Sequence, residues 1–516
     1  MASPSYIAQS SSPVPTDQSQ LSNQIYHNAL HQLNRLRTNF ESRQETIGLE
    51  DRNLLLRQME EWCEEIGYKA SFFSNVLLHR PADFNVLNAI HIAGSKGKGS
   101  TAAFVFSILS EYLADECDSE DNNSASLKKI GLYTSPHMRS VRERIRIRES
   151  QATDFTNTPL DENKFAHYLS EIWVRLGMDS RELSSSPPFA KFLTLMGLHA
   201  FMQEKVDAAV VEVGIGGRYD STNILRQPSV CAITSLGLEH TDILGSTLEG
   251  IAWAKAGIMK KGAPVFTAPQ DPEAMVVLKT TAAYEGVDLH VVATHPDLES
   301  IELGLRGDFQ RINASLAVAV AAKHLCRMGF SGIAETTTFM KSPLPEKFRR
   351  GLEKAQWPGR CETRHNHGIR WLLDGAHTIE SIEVLGPWAV KNMVVQKQAR
   401  RVLIFNQQTK DATALLRHIW QVINAAPDIE RVSMTYSGDS IQDLKVQHES
   451  AKFWAEISGG ESAVTVMRTV EEAIRCAAHG YGDSNCGGKG GDEAVVLITG
   501  SLHLVGSALE FLDTFA

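Results

Sequence analysis

The stretch from Gly94 to Ser100, Gly-Ser-Lys-Gly-Lys-Gly-Ser, holds the residues whose types most directly invite chemistry. Backbone N–H groups of a glycine-rich turn can cradle a phosphate, and a lysine in that turn can reach the outer phosphates of a nucleotide. The fit to the usual G-x-x-x-x-G-K-[ST] pattern is imperfect: position 92 is Ile, and Gly99 separates Lys98 from the hydroxyl of Ser100. A glycine turn with no ligand therefore stays open as a reading. Glu212 closes an apolar run, where a carboxylate at the carboxyl end of a parallel strand can meet a metal held against nucleotide phosphates. A core-edge Glu paired with a basic neighbour is the plainer alternative. His240 follows another such run and is either a ligand or a hydrogen-bonded structural residue. Lys255, on a helical pattern, would ordinarily be a solvated lysine, and Asp374-Gly375 an ordinary turn.

Two further segments carry weaker signals. Gly214 to Gly217 lacks the third glycine of a dinucleotide fingerprint; with Arg218 and Asp220 it suits a mobile, ligand-closing loop. Between Arg139 and Arg148 lie five arginines, Ile145 and Ile147 alternating with two of them as in a half-buried strand. They form either the charged face of an edge strand or a patch that steers an anion.

These residues need elements to hold them. Val86 to Ala93 is a short apolar run, and Thr101 to Leu113 a helical pattern, so the glycine turn sits between strand and helix. Lys129 to Thr134, Ala208 to Val213, Val230 to Leu236 and Pro264 to Ala268 are further strand candidates, with helical patterns between them. The alternation implies a parallel sheet covered on both faces. Closely spaced prolines at Pro343, Pro345 and Pro358 mark a connector, after which strands at Arg370 to Leu373, Arg401 to Phe405, Arg431 to Tyr436 and Ala494 to Thr499 restart the alternation. The expected architecture is α/β: a P-loop-containing parallel-sheet ATPase domain followed by a smaller Rossmann-like α/β domain. Its divisions are a disordered, Ser/Pro/Gln-rich tail over 1–21, an ATP-binding domain over 22–345 with an acidic insertion at 115–126, a linker over 346–360, and a ligase domain over 361–516. Tyr26, Leu30, Leu33 and Leu36, then Leu54, Met59 and Trp62, have the spacing of two amphipathic helices packing on the first domain. Gly480 to Asp492 reads as a loop.

Composition narrows the class of partner. With 516 residues, about 150 per domain allows three domains or two larger ones. A net charge of −10 argues against coating nucleic acid or an anionic membrane. Seven cysteines without a CxxC pair form neither a disulfide framework nor a metal knuckle, which favours reduced thiols in a cytosolic setting. No apolar run approaches the roughly 18 residues of a membrane span, and no secretory signal or transit peptide is visible, so cytoplasm is the expected location, a mitochondrial form remaining open.

The imperfect loop is itself informative, because G-x-x-G-K-G-S resembles the form found in the folylpolyglutamate synthases, members of the Mur ligase superfamily. Other segments fall in that family's order. Tyr133 to His137 leading into Val141 to Ile145 resembles TSPH…VRERI, and Glu212 to Asn223 resembles EVGxGGRxDxTN. Leu238 to Gly245 resembles LxxEHxxxLG, Ala254 to Ile258 EKAGI, Trp357 to Arg360 WPGR, and Leu373 to His377 DGAH. An N-terminal extension carrying Tyr26, Ala29, Leu30, Leu33, Asn34, Thr38 and Asn39 is similar to that of the eukaryotic members.

The resemblance implies ATP-dependent addition of L-glutamate to the γ-carboxylate of a reduced folate through an acyl phosphate. It implies ATP as co-substrate bound by Gly97, Lys98, Gly99, Ser100, Arg360 and Asp374, and Mg2+ held by Ser135, Glu212 and His240, with a monovalent cation as an option. Lys98, Lys255 and His377 would be catalytic, Lys255 as a carbamate near a second metal, although Ala254 stands where the family usually has Glu. Reduced folate and L-glutamate would be the only partners of a monomer, with no nucleic acid and no membrane span. Dihydrofolate synthase, which takes dihydropteroate as acceptor, and another Mur-type amide ligase are the near alternatives; a P-loop NTPase and a non-catalytic nucleotide-binding protein are the distant ones.

Overall fold

A computed structural model of the chain describes residues 18–37, 52–69, 83–113, 126–150, 158–394, 399–408, 411–423, 431–435, 444–460, 462–479 and 494–514. Most of the expected tail and insertion, and the glycine-rich stretch from Gly480, lie outside them. Gln18–Asn34 is helical, so ordered structure begins ahead of Ser22. That helix buries Tyr26, Ala29 and Leu33, and the helix Arg52–Glu65 buries Met59, Trp62 and Cys63. Both join the core formed by the helices Glu162–Arg175 and Phe189–Gln203.

The first sheet has seven strands: β1 Ile90–Ala93, β2 Lys129–Tyr133, β3 Ile145–Glu149, β4 Ala208–Glu212, β5 Val230–Ile233, β6 Val265–Thr267 and β7 Leu289–Val291, in the order β3-β2-β4-β1-β5-β6-β7. β1 lies at the centre, parallel to β4 and β5. All three are buried along their length, which is why they read as largely apolar runs, broken by buried His91 in β1 and ending on Glu212 in β4. The expected strand from Val86 is shorter than its apolar pattern: Asp83–Leu87 forms a 3-10 turn, and left-handed Asn88 breaks the chain before Ile90. The sheet is mixed rather than wholly parallel, because β3 runs antiparallel to β2. Helices Lys98–Ser110 and Gln310–Arg327 share one hydrophobic core over its face. Their many small apolar residues, Ala102, Ala103, Ala314 and Ala317 among them, are buried there.

The expected linker is in part an element of the first domain. Glu346–Lys354 is a helix whose Phe348 and Leu352 are buried in that same core. The chain then passes Trp357 and Pro358 into the second sheet: β8 Glu362–Asn366, β9 Ile369–Leu373, β10 Arg400–Phe405, β11 Arg431–Thr435, β12 Ala463–Met467 and β13 Ala494–Thr499, in the order β12-β11-β10-β13-β9-β8. β8 and β9 form an antiparallel hairpin whose two turn residues, His367 and Gly368, both have positive φ, the geometry that matches the twist of paired strands. The other strand pairs of this sheet are parallel. Two α/β domains therefore stand where two were expected. Among the described residues no helix is long and apolar enough to cross a membrane.

Candidate active site

The topology brings the candidate residues of the first domain to one edge. Ser135 follows β2, Glu212 ends β4, the glycine turn follows β1, and His240 lies beyond β5, so all four sit at the carboxyl ends of neighbouring strands. That is where an open α/β sheet offers a crevice for ligands.

The glycine turn ends on Gly97, which caps the helix Lys98–Ser110 with φ 89°. A Cβ there would lie 2.2 Å from Asn313 Oδ1, so only glycine fits both the backbone and the neighbour. Gly99 answers to space instead: a Cβ would stand 3.1 Å from the Trp357 indole nitrogen and 3.6 Å from Glu212 Oε2. The residue that breaks the usual phosphate-loop pattern is the one that lets Trp357 approach the loop, with Glu212 in ordinary contact beside it. Asn313 Nδ2 donates to Gln310 Oε1 at 2.9 Å, and Gln310 Nε2 donates to Ser100 Oγ at 3.2 Å, fixing the helix start from behind.

Lys98 Nζ donates to the Gly94 carbonyl at 2.7 Å and to the Ser95 carbonyl at 3.3 Å, and lies 3.8 Å from Glu239 Oε1. Lys255 meets the same two groups: its Nζ donates to Gly94 O at 2.7 Å and to Glu239 Oε1 at 2.6 Å. Lys255 is 1% exposed, and burial, with the charge of Lys98 beside it, lowers its pKa to about 8. The solvated lysine is thus excluded, and Glu239 emerges as the shared counter-ion of both lysines.

Glu212 is buried, and its Oε2 accepts the Ser135 backbone N–H at 3.1 Å. Burial raises its pKa to about 7, against the opposing pull of Lys98, Arg360 and Arg144. A carboxylate whose burial outweighs the pull of three nearby cations is chemically suited to a hard cation with oxygen ligands. Ser135 and Glu212 come together as expected. His240 is left-handed at φ 48°, and the charges acting on it are Glu239, Lys98, Lys255 and Asp242, which puts it on the Lys255 side of the turn. Among the described residues no three His, Cys, Asp or Glu side chains group closely enough to hold a metal. An ion here would lean on Glu212 and on oxygens from Ser135, phosphate and water, the mode usual for magnesium.

The loop expected to close over ligands is pinned instead. Arg218 N donates to Ala254 O at 2.7 Å, and Asn223 Nδ2 donates to Arg218 O at 2.8 Å and to Gly257 O at 3.2 Å. The Asp220 carboxylate accepts from Ile215 N, Thr222 N and Thr222 Oγ1. The segment is a fixed seat for the helix that carries Lys255.

The second domain reaches the same edge. Lys96 Nζ donates to Thr378 Oγ1 at 3.0 Å, placing the glycine turn against the residue next to His377. His377 Nδ1 is 2.9 Å from Gly375 O, which orients the ring. Arg360 acts on both Glu212 and Asp374 electrostatically, so it lies between the domains. Asp374 is buried, with burial raising its pKa, and its two oxygens accept Cys361 N and Ala376 N, each at 2.8 Å. Its carboxylate fastens the two segments that carry Arg360 and His377.

Glu239, Lys96, Gln310, Asn313 and Trp357 join the site with no role legible for them in the sequence. Gln310 and Asn313 left the clearest signal, being polar residues one turn apart just ahead of a helical stretch, Ala314 to Ala322, that is nearly all small and apolar.

A family model described as dihydrofolate synthetase, C-terminal domain, matches residues 359–511. Curated folylpolyglutamate synthases of Saccharomyces cerevisiae are 38% identical over 521 aligned residues, covering 95% of this chain and 87% of theirs. The solved Mycobacterium tuberculosis folylpolyglutamate synthase complexed with ADP has a TM-score of 0.68 at 22% identity, covering 95% of this chain and 98% of its own. That of Thermotoga maritima has a TM-score of 0.63 at 25% identity, over 89% and 94%.

Proposed function

The chain belongs to the folylpolyglutamate synthase family and is an ATP-dependent, ADP-forming tetrahydrofolate:L-glutamate ligase, and from that premise we propose how its own residues carry the reaction. A carboxylate is a poor acylating agent at neutral pH. The folate γ-carboxylate attacks the γ-phosphorus of ATP, ADP leaves, and the resulting acyl phosphate has a leaving group that the glutamate amine displaces as phosphate. The first step needs positioning and charge neutralisation more than covalent help.

Lys98 supplies both, its ammonium exchanging the Gly94 and Ser95 carbonyls for phosphate oxygens at the helix start formed by Gly97, Gly99 and Ser100. Ser135 and Glu212 would hold magnesium in this reading, and His240, on the Lys255 side of the turn, would complete its surroundings at the edge away from them. When bound, the ion would supply neutralisation of phosphate charge. Arg360 brings a second positive charge from across the domain boundary, and Asp374 positions it. His377, oriented by the Gly375 carbonyl, stands at the incoming glutamate and helps keep water from the acyl phosphate. Lys255 anchors Glu239 as an ammonium; converting it to a carbamate would set two anions against each other unless a cation lay between them.

The observation that carries this reading is the Lys96–Thr378 contact, because it joins the phosphate loop to the second domain beside His377. A purified sample given tetrahydrofolate, ATP and labelled glutamate tests it: one glutamate added per ADP released supports it, and ADP release without glutamate transfer defeats it. In this reading the enzyme acts as a monomer in the cytoplasm, which sedimentation velocity and cell fractionation test.

A further inference from the structure

The arginines between Arg139 and Arg148 are not equivalent. Arg139 pairs with Asp513 and Glu143, and Arg142 pairs with Glu162 and donates to the Leu160 carbonyl. Arg146 donates to the Glu143 carbonyl and lies over the Trp357 ring. Arg144 is different. It is 7% exposed, and its side-chain hydrogen bonds go to neutral groups, His137 Nδ1 at 3.0 Å and Tyr133. Its guanidinium carbon stands 5.8 Å from the centre of the Phe189 ring, and that of Arg37, from the turn after the N-terminal helix, 4.8 Å from the same ring. Among the described residues no carboxylate pairs with Arg144 or Arg37.

A buried guanidinium held only by neutral acceptors suits an anion, and a planar fork suits a carboxylate. The location narrows which one. The Arg144 carbonyl accepts the Thr134 N–H at 3.0 Å, and the next residue, Ser135, donates to Glu212. Arg144 also acts electrostatically on Glu212. An anion on Arg144 is therefore a near neighbour of the carboxylate being phosphorylated. In a glutamyl residue the reacting γ-carboxylate has one such neighbour, the α-carboxylate, three carbons away.

We propose that Arg144, with Arg37 beside it, binds the α-carboxylate of the acceptor's terminal glutamyl residue, a group that dihydropteroate lacks. The proposal rests on the ligase reading above and makes this pocket the place where a glutamylated acceptor is told from an unglutamylated one. Arg37 comes from the N-terminal extension, which gives that extension a part in acceptor choice.

The test compares tetrahydrofolate with its α-amide, in which that carboxylate is neutral. For the wild type, KM for the α-amide is expected to exceed that for the acid by about tenfold or more. Arg144→Gln should raise KM for the acid by a similar factor and leave KM for the α-amide and ATP affinity without acceptor nearly unchanged. Arg37→Ala should give a smaller rise with the same selectivity, and because Arg37 is exposed it decides the matter if Arg144→Gln fails to fold. Equal wild-type KM values for acid and amide, or variants that raise both alike, would overturn the pocket. No glutamate transfer to either acceptor would instead defeat the ligase reading.

Discussion

Lys96 of the phosphate loop and Thr378 of the second domain are joined by a 3.0 Å hydrogen bond, so the loop that would hold the nucleotide also touches the segment carrying His377. The contact couples nucleotide position to the approach of the second domain. Removing it by Lys96→Ala or Thr378→Val should lower kcat by about tenfold while ATP affinity changes little, because the lost interaction serves assembly of the site. Equilibrium nucleotide binding and steady-state kinetics on the same samples check this; a matching loss of ATP affinity would assign Lys96 to the phosphates instead.

Lys98 has the central charge. Lys98→Ala is expected to abolish glutamate-dependent ADP release, a fall of about a thousandfold or more, while the fold survives because the largely buried side chain contacts polar groups, the Gly94 and Ser95 carbonyls and Glu239, and leaves no apolar core cavity. Circular dichroism and ADP production together read the two halves of that statement. Near-normal turnover would refute the phosphate-loop assignment.

The raised pKa of Glu212 makes a stability statement. Between its unperturbed value near 4.5 and its folded value near 7, the folded protein binds more protons than the unfolded one, so this group's contribution to stability falls as pH rises through that window. Glu212→Gln should therefore be more stable than the wild type above pH 7, by on the order of 2 kcal/mol, and match it below about pH 4.5. Magnesium with a non-hydrolysable ATP analogue should raise the wild-type Tm and leave that of the variant nearly unmoved. Thermal melts across pH, with and without the ion, supply the answer, and an equal magnesium shift in both proteins would remove Glu212 from the metal site.

Glu239 neutralises two lysines at once. Glu239→Gln leaves Lys98 and Lys255 without their shared counter-ion and should cost about 3 kcal/mol, seen as a lower Tm. Lys255→Ala should lose activity under all conditions. If the Lys255 amine, lowered to about pH 8, captures carbon dioxide, intact mass in bicarbonate buffer should rise by one CO2 in the wild type and not in Lys255→Ala. A Lys255→Ala enzyme of unchanged activity across bicarbonate concentrations rejects both roles.

The sequence was most legible where burial is uniform. β1, β4 and β5 are covered on both faces and read directly as apolar runs, and the turns at their ends followed from them. β7 and β8 escaped because edge strands need no apolar stripe: β8 is Glu-Thr-Arg-His-Asn, and β7 is mostly exposed. The same limit applied at the site. Ser135, Glu212 and the glycine turn declare themselves by position at strand ends, whereas Glu239, although part of the Leu238 to Gly245 motif, shows no role until folding sets it between Lys98 and Lys255. The arginine cluster shows the reverse error, since spacing alone made one patch of side chains that serve different partners. Asp374 was expected at ATP, and its carboxylate is engaged by backbone N–H groups of Cys361 and Ala376.

The acyl phosphate route is tested most directly by oxygen transfer. Tetrahydrofolate labelled with 18O in its γ-carboxylate, incubated with ATP, L-glutamate and the wild-type protein, should give inorganic phosphate carrying one 18O for each glutamate added, because the attacking carboxylate oxygen leaves with phosphorus. Glutamylated folate formed alongside wholly unlabelled phosphate would contradict the account.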